Sequence, residues 1–244
     1  MTRIKEVDDS IDPEGFTLVE GFPGTGLVAK ISADYIKDHL DMDLYAEVYS
    51  EEIPSISVFE QGSRNLKPAV CIYADPENEL LVLKCDAPVS AKADGFISGL
   101  TDWIDGNNIT PIYQLGIPSR SDEKKVFGVS IGDAEKELDA AEVPKPETVG
   151  GISGPTGAVL ERSQEEEISS IGLTVSCAEQ LPDPEAARTL IEEAIEPITG
   201  IDLDTQQLAE TAEQIKEQKK KLAEKMQQAQ RDETSQAYPE ELYK

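Results

Sequence analysis

A glycine-rich segment near the start of the chain has part of the pattern of a phosphate-binding loop. Gly21 and Gly26 enclose four residues, as the glycines of a Walker A loop do. Leu27 and Val28, however, stand where a lysine and a serine or threonine would contact the phosphates and Mg²⁺. The amides that open the following helix could still bind an anion. Close strand-to-helix packing is the first interpretation, and a small-ligand or nucleotide-binding enzyme that uses the turn is the alternative.

Other residues that could support catalysis or metal binding are sparse. His39 is the only histidine, and it falls near the end of a predicted helix, where the helix dipole favours a cation. The sequence contains no HExxH motif, and no GxSxG motif surrounds Ser98 or Ser153. Acidic runs at residues 8–9 and 165–167 lack the pattern of a calcium loop. We therefore expect no catalytic residues, no metal site and no cofactor.

The three cysteines indicate packing rather than chemistry. Cys71, Cys85 and Cys177 each lie in an apolar, strand-like stretch without CxxC spacing, so we expect them to be small buried hydrophobic residues. No stretch approaches the roughly 18 apolar residues of a membrane-spanning helix. The expected protein is soluble and cytoplasmic.

The charge of the chain excludes some classes of partner. Its 22 lysines and arginines against 49 aspartates and glutamates give a formal net charge of −27. Attraction to nucleic acid or to an anionic membrane is therefore not expected. Such a surface repels itself in dilute buffer but is screened in molar salt, where the Debye length is about 3 Å. We interpret the acidity as a sign of a halophilic cytoplasm.

The end of the sequence suggests a docking device. Leu242, Tyr243 and Lys244 place an apolar side chain, a tyrosine and an α-carboxylate on a polar tail, residues 232–244. Residues 205–231 contain no glycine or proline and predict a long helix. Its apolar positions recur in steps of four and three, with one polar member, as in a coiled coil. The predicted oligomerisation residues are Leu208, Ala212, Ile215, Lys219, Leu222, Met226 and Ala229. The simpler alternative is that this stripe packs on the chain's own core.

The remaining pattern, residues 1–204, predicts one α/β core domain. A strand at 16–20, a glycine turn and a helix up to Leu40 form the first unit, and strands at 69–73 and 80–85 form a hairpin. Further strands alternate with helices, which indicates a mainly parallel sheet with helices on both faces. Helix ends are predicted at Gly106 and Asn107 as a left-handed cap, and at residues 197–200. Asp183 is the predicted N-cap of the helix that begins at Pro184.

Four segments, in order, resemble the archaeal proteasome assembly chaperone family. They are LVEGFPGTG at 18–26, GISGPTG at 151–157, LPDPEAA at 181–187 and IDLD at 201–204. The resemblance covers nearly the whole chain. It implies a three-layer α/β/α sandwich without known catalysis, forming homo-oligomers whose C-terminal tails bind the α-ring of the proteasome core particle.

The resemblance also gives the tail residues their roles. Leu242, Tyr243 and Lys244 match the hydrophobic, tyrosine, any-residue ending by which such proteins dock. Proteasome α-subunits or the core particle are therefore the expected partners. An ATP-grasp or carboligase activity, the form that the enzyme alternative would take, lacks a phosphate-binding lysine or a set of metal ligands beside the glycine turns.

Overall fold

The computed structural model describes residues 1–59, 62–119, 121, 123–178 and 182–214. Its strands are Arg3–Glu6 (β1), Thr17–Gly21 (β2), Asp43–Tyr49 (β3), Ser57–Phe59 (β4), Leu66–Pro68 (β5), Val70–Asp75 (β6), Leu80–Cys85 (β7), Thr110–Pro118 (β8), Val126–Ile131 (β9) and Ser170–Cys177 (β10). Its α-helices are Val28–His39 (α1), Asp94–Gly106 (α2), Glu135–Ala140 (α3), Gly154–Glu165 (α4), Pro184–Leu190 (α5) and Glu196–Thr199 (α6). Short 3₁₀ turns span Thr25–Leu27 and Gly132–Ala134, and a further helix covers residues 206–214.

Eight strands form one mixed sheet in the order β1-β3-β6-β7-β2-β8-β10-β9. The three pairings at its centre, β7 with β2, β2 with β8 and β8 with β10, are parallel. The other four pairings are antiparallel. The prediction of a mainly parallel sheet is therefore correct only for the central strands. One reason is local: the short turn from Asp75 to Leu80 reverses the chain between β6 and β7, which only an antiparallel pair allows.

Helices cover both faces of this sheet, as predicted. Along β2, Leu18 belongs to one buried cluster and its neighbour Val19 to the other, because successive side chains of a strand point to opposite faces. Apolar residues of α1 and α5 fill the cluster of Val19, and those of α2 and α4 fill the cluster of Leu18. The α/β class with helices on both sides is confirmed.

Helix α2 ends differently from the prediction. Gly106 and Asn107 were expected to form a left-handed cap, but the residue with positive φ is Asn108, at 51°. Ile109 then donates its N–H to the carbonyl of Ile104 at 3.0 Å. An asparagine is suited to this conformation because its short polar side chain tolerates it better than most.

The helix after Asp183 ends within the predicted break at residues 197–200, at its last residue. A π turn at Ile191–Ile195 follows α5, and α6 continues through Pro197 to Thr199. The N–H of Glu196 donates to the carbonyl of Ile191, five residues back, and Pro197 follows in the first turn of α6. The helix ends at Gly200, which has a φ of 75°. Within the predicted break, Gly200 and not Pro197 is therefore the residue that ends the helix.

No helix among the described residues is long and apolar enough to cross a membrane. The predicted long C-terminal helix is described for residues 206–214 only, and positions 215–231 lie outside the described part of the chain.

Candidate functional site

The turn after β2 lies at the carboxyl ends of the parallel strands β2, β8 and β10. Open α/β sheets bind ligands at this edge. It is therefore where the enzyme alternative would place its site.

A buried carboxylate, Glu20, lies at the end of β2. It is fully buried, and one carboxylate oxygen accepts the N–H of Gln114 at 3.1 Å, while the N–H of Phe22 donates to the other. The side-chain amide of Gln114 donates to the backbone carbonyl of Glu20 at 2.6 Å, and the hydroxyl of Ser32 donates to the amide oxygen of Gln114. Burial raises the pKa of Glu20 to about 7 against the opposing effect of the two amides. The cluster joins β2, β8 and α1.

The glycines of the turn region bring backbone segments together. A Cβ atom at Gly21 would lie 2.6 Å from the Cβ of Ala33, and one at Gly116 would lie 2.4 Å from the carbonyl oxygen of Thr25. Gly26 has a φ of 65°, and its carbonyl accepts the N–H of Asp183 at 2.8 Å. The space that a ligand would need at Gly21 and Gly116 is filled by the chain itself. Close packing is thus the role that the geometry supports for these glycines.

The same turn is poorly suited to hold a phosphate. The Phe22 amide already donates to Glu20, a group that would repel an anion when ionised. Leu27 and Val28 have apolar side chains, so neither position offers a cationic or hydroxyl group. Leu27 also has a φ of 51°, and Val28 is fully buried. These contacts disfavour the nucleotide-binding alternative.

The three cysteines and His39 are also engaged in packing. Burial raises the pKa of Cys71 and of Cys85 to about 12, and that of Cys177 to about 11, so none is an activated thiolate at neutral pH. The burial predicted for all three is confirmed. His39 stacks on Tyr35 with ring centroids 3.9 Å apart, at the end of α1 as predicted. Within the described ranges, no three histidine, cysteine or acidic residues are grouped as metal ligands.

Asp183 caps α5, as the sequence predicted, and also contacts Ala178 and Lys124. Its Oδ1 accepts the N–H of Ala186 at 3.1 Å, and its Oδ2 accepts the N–H of Ala178 at 2.7 Å and contacts Lys124 Nζ at 2.6 Å. Burial alone would raise the pKa of Asp183, but Lys124 and the two amides outweigh it and lower the pKa below its usual value. The carboxylate thereby ties the end of β10 to the start of α5.

The root of the C-terminal helix is attached to the core by hydrogen bonds. The Tyr35 hydroxyl donates to the carbonyl of Asp204, and the carboxylate of Glu196 accepts the N–H of Leu203 at 2.7 Å. Thr205 lies in the same region and is buried, with 8% of its surface exposed. The helix therefore leaves the core from a fixed position beside α1 and α6.

Two of the predicted oligomerisation residues lie in the described part of this helix. Leu208 is only 5% exposed and packs in the core cluster of its own chain, which agrees with the simpler alternative for that position. Ala212 is half-buried. The other predicted site residues lie outside the described residues: Ile215, Lys219, Leu222, Met226, Ala229, Leu242, Tyr243 and Lys244.

Comparison with known proteins identifies the family. The family model described as PAC2 matches residues 18–223, which is most of the chain. The chain belongs to the PAC2 family. An uncharacterised Methanocaldococcus jannaschii protein is 26% identical over 215 residues, 88% of each chain. The resemblance to archaeal proteasome assembly chaperones that the four segments predicted is confirmed.

Two solved structures are similar to this chain in three dimensions. Pyrococcus furiosus PbaA, described as an archaeal homologue of proteasome-assembly chaperone, superposes with a TM-score of 0.79 at 25% identity, over 96% of this chain and 97% of that one. Pyrococcus furiosus PbaB, described as an archaeal proteasome activator, shares the fold with a TM-score of 0.75 at 20% identity, over 91% and 98% of the two chains.

The four segments that resemble the archaeal proteasome assembly chaperone family occupy connected places in the fold. The first contains Glu20 and Gly26, and the third contains Asp183, whose N–H bonds to Gly26. Thr156 of the second donates to the carbonyl of Gln114 at 3.5 Å, beside Glu20. The fourth ends at Asp204, at the root of the C-terminal helix. These segments therefore lie at the carboxyl ends of the central strands and at the start of the C-terminal helix.

Sequence reasoning did not single out Glu20 or Gln114. The sequence did contain a sign that Glu20 is buried, since it follows the apolar residues Leu18 and Val19 in a correctly predicted strand. Whether such a carboxylate is buried depends on β8 and α1, which are distant in sequence.

Proposed function

We propose that this PAC2 protein is a noncatalytic proteasome assembly chaperone or regulator. Its C-terminal Leu242, Tyr243 and Lys244 would dock into the α-ring of the proteasome core particle. The observation that carries this proposal is the similarity to Pyrococcus furiosus PbaA over nearly the full length of both chains. The close packing at Gly21 and Gly116 adds support, because it disfavours a ligand site at this turn.

Each tail residue has a distinct physical task in this mechanism. Leu242 provides an apolar contact, and Tyr243 provides a ring that can be buried with its hydroxyl hydrogen-bonded. The carboxylate of Lys244 forms a charge-assisted hydrogen bond with a lysine of the pocket. Three residues bind weakly by themselves, so that presentation of several tails at once is needed.

Self-association would supply the additional tails. Ala212, Ile215, Lys219, Leu222, Met226 and Ala229 are the proposed contacts between copies, and Leu208 fixes the start of the helix on its own core. Once one tail is bound, insertion of the next is effectively intramolecular, which can raise the overall affinity by about 10² or more. The fixed root at Asp204 supports this arrangement because it gives every copy's helix the same starting position.

Capture of proteasome α-subunits in molar KCl tests the tail mechanism. The test variants are Tyr243→Ala and a chain extended by one residue after Lys244, which displaces the carboxylate. Tyr238→Ala is the matched control, because it removes a tyrosine from the same tail outside the docking residues. We expect the control to capture α-subunits as wild type does and both test variants to lose capture. Equal capture by all of these proteins would refute tail docking.

The alternative, a small-ligand or nucleotide-binding enzyme that uses the turn at Gly21 and Gly26, makes the opposite prediction. If this alternative were correct, at least one of a set of nucleotides added with Mg²⁺ would raise the midpoint temperature of thermal unfolding. A ligand that binds only the native state stabilises that state. We expect no shift, because the turn is packed against Ala33, Leu83 and Cys177.

A further inference from the structure

The root of the C-terminal helix, residues 201–208, is held by two glutamates of one helical segment. The hydroxyl of Thr205 donates to the carboxylate of Glu192. The N–H of Leu203 donates to the carboxylate of Glu196 at 2.7 Å. These two hydrogen bonds are the root contacts. Thr205 and Leu203 are each 8% exposed, so the root contacts lie at the edge of the core, where a hydrogen bond is electrostatically stronger than in water.

The segment that carries these glutamates gives them fixed positions. Ala194 and Ile195, which lie between the two glutamates in sequence, are fully buried, so the segment is anchored in the core. One guanidinium nitrogen of Arg188 donates to both carboxylate oxygens of Glu192, at 3.0 and 2.9 Å. Charge-assisted hydrogen bonds of this kind restrict the orientation of the carboxylate. Glu192 therefore meets the root from a fixed position.

The same segment contains a π turn, a feature that is rare in proteins and frequently occurs at functional sites. The turn spans Ile191–Ile195, and the N–H of Glu196 donates to the carbonyl of Ile191, five residues back. Glu192 lies inside the turn, and Glu196 directly follows it. Both root contacts therefore depend on residues that this turn places.

The direction of the helix at its root has a large effect at its far end. A helix over residues 205–231, as predicted from the sequence, would be about 40 Å long. A tilt of about 10° at the root would displace its far end by about 7 Å. Packed helices have axes about 8–10 Å apart, so a displacement of this size is enough to separate the apolar stripes of neighbouring copies. The root therefore decides whether the copies meet along the whole stripe.

We propose that Glu192 and Glu196 are positioning residues, which hold the C-terminal helix in one direction so that the helices of neighbouring copies meet and present their tails together. This role rests on the proposed function, in which the tails dock and the copies associate through this helix. A helix that is already oriented loses less conformational freedom on association, and so associates more tightly. The Tyr35 hydroxyl, which donates to the carbonyl of Asp204, adds a contact from α1 that does not depend on the π turn.

A double variant that removes both root contacts tests the proposal. Thr205→Val replaces the hydroxyl by a methyl group of similar size, and Glu196→Ala removes the acceptor of the Leu203 N–H. Thr211→Val with Glu193→Ala is the matched control, because it makes the same two changes at exposed positions of the same helix and the same π turn. Thr205→Ser with Glu196→Gln is the conservative variant, since it keeps a hydroxyl group and an acceptor oxygen. Thr205→Val alone is the milder variant, which carries the test if the double variant does not fold.

The distance between two spin labels, measured by pulsed electron paramagnetic resonance, reports the direction of the helix. Gln214→Cys and Asp102→Cys place the labels at exposed positions of the helix and of α2, while the three native cysteines are buried. Dilution with unlabelled protein limits the measurement to distances within one copy. We expect wild type, the control and the conservative variant to give one narrow distance distribution, and the double variant to lose it.

The mass of the full chain and its capture of proteasome α-subunits, both in molar KCl, report the consequence for association and docking. We expect the double variant to associate more weakly and to bind α-subunits about 10²-fold less tightly, because the gain from several tails is lost while the tail itself is unchanged. The control and the conservative variant should bind as wild type does. A thermal unfolding transition in every variant shows that the proteins compared are folded.

Three results would overturn the proposal. The first is a distance distribution in the double variant that matches wild type, and the second is an equally broad distribution in the conservative variant or the control. The third is a broad distribution with wild-type mass and capture, which would mean that the direction of the helix does not matter. Capture by Tyr243→Ala equal to wild type would instead refute tail docking, while the distance distribution and the mass still decide whether Glu192 and Glu196 position the helix.

Discussion

Replacement of Glu20 by glutamine should change how the stability of this protein depends on pH. The carboxyl group is fully buried, and its pKa rises from 4.5 to about 7 in the folded state. Between these values the folded state binds more protons than the unfolded state, so that the free energy of unfolding falls as pH rises. The shift of about 2.5 units corresponds to a loss of about 3 kcal/mol, complete slightly above pH 7. Glu20→Gln lacks this loss.

The glutamine also has a cost that does not vary with pH. Both carboxylate oxygens of Glu20 accept backbone N–H groups, from Phe22 and Gln114, but a glutamine has only one acceptor oxygen. One N–H then faces a donor, which costs about 1–3 kcal/mol. We expect the variant to be less stable than wild type near pH 5, and the difference to shrink by about 3 kcal/mol towards pH 8 as wild type loses stability.

Urea unfolding at several pH values, in molar KCl throughout, measures this difference. Constant high salt screens the general repulsion of the −27 charge, and the comparison of two proteins removes what they share. Glu14→Gln is the control, because it neutralises an exposed glutamate on the segment before β2. Its curve should parallel wild type. Parallel curves for Glu20→Gln and wild type would refute the account of a buried carboxyl group that holds its proton.

Three further predictions concern packing and charge. Gly116→Ala places a Cβ 2.4 Å from the Thr25 carbonyl oxygen and should destabilise the protein by about 1–3 kcal/mol in urea unfolding, whereas Gly24→Ala, with no atom within 4 Å, should not. Leu208→Ala should cost about 2–5 kcal/mol because Leu208 is buried in the core, while Gln207→Ala on the exposed side of the same helix should be neutral; equal effects would show that the helix root is not packed as described. The thermal midpoint of wild type should be higher in molar KCl than in dilute buffer, because screening relieves repulsion among 49 acidic residues; an unchanged midpoint would contradict the halophilic interpretation.

The sequence by itself determined the local elements and their order. The strand, glycine turn and helix that contain Gly21 and Gly26 were predictable, since the 2-residue and 3.6-residue apolar periods change at the turn. The hairpin turn after Asp75 was predictable as well, because the Asp75 side chain accepts the N–H of Glu77 at 3.0 Å and so favours the turn locally. Asp183 as an N-cap is the same kind of short-range signal. In each case the interacting groups lie within a few residues of one another.

Tertiary structure decided the features that depend on distant partners. The pattern did not predict β1, which runs antiparallel to β3, and β3 in turn runs antiparallel to β6. The burial of Glu20 depends on Gln114, 94 residues away, and the packing of Leu208 depends on a core that most of the chain builds. A periodic pattern reports which face of an element is apolar, but the free energy that selects the surface covering that face comes from contacts between elements far apart in sequence.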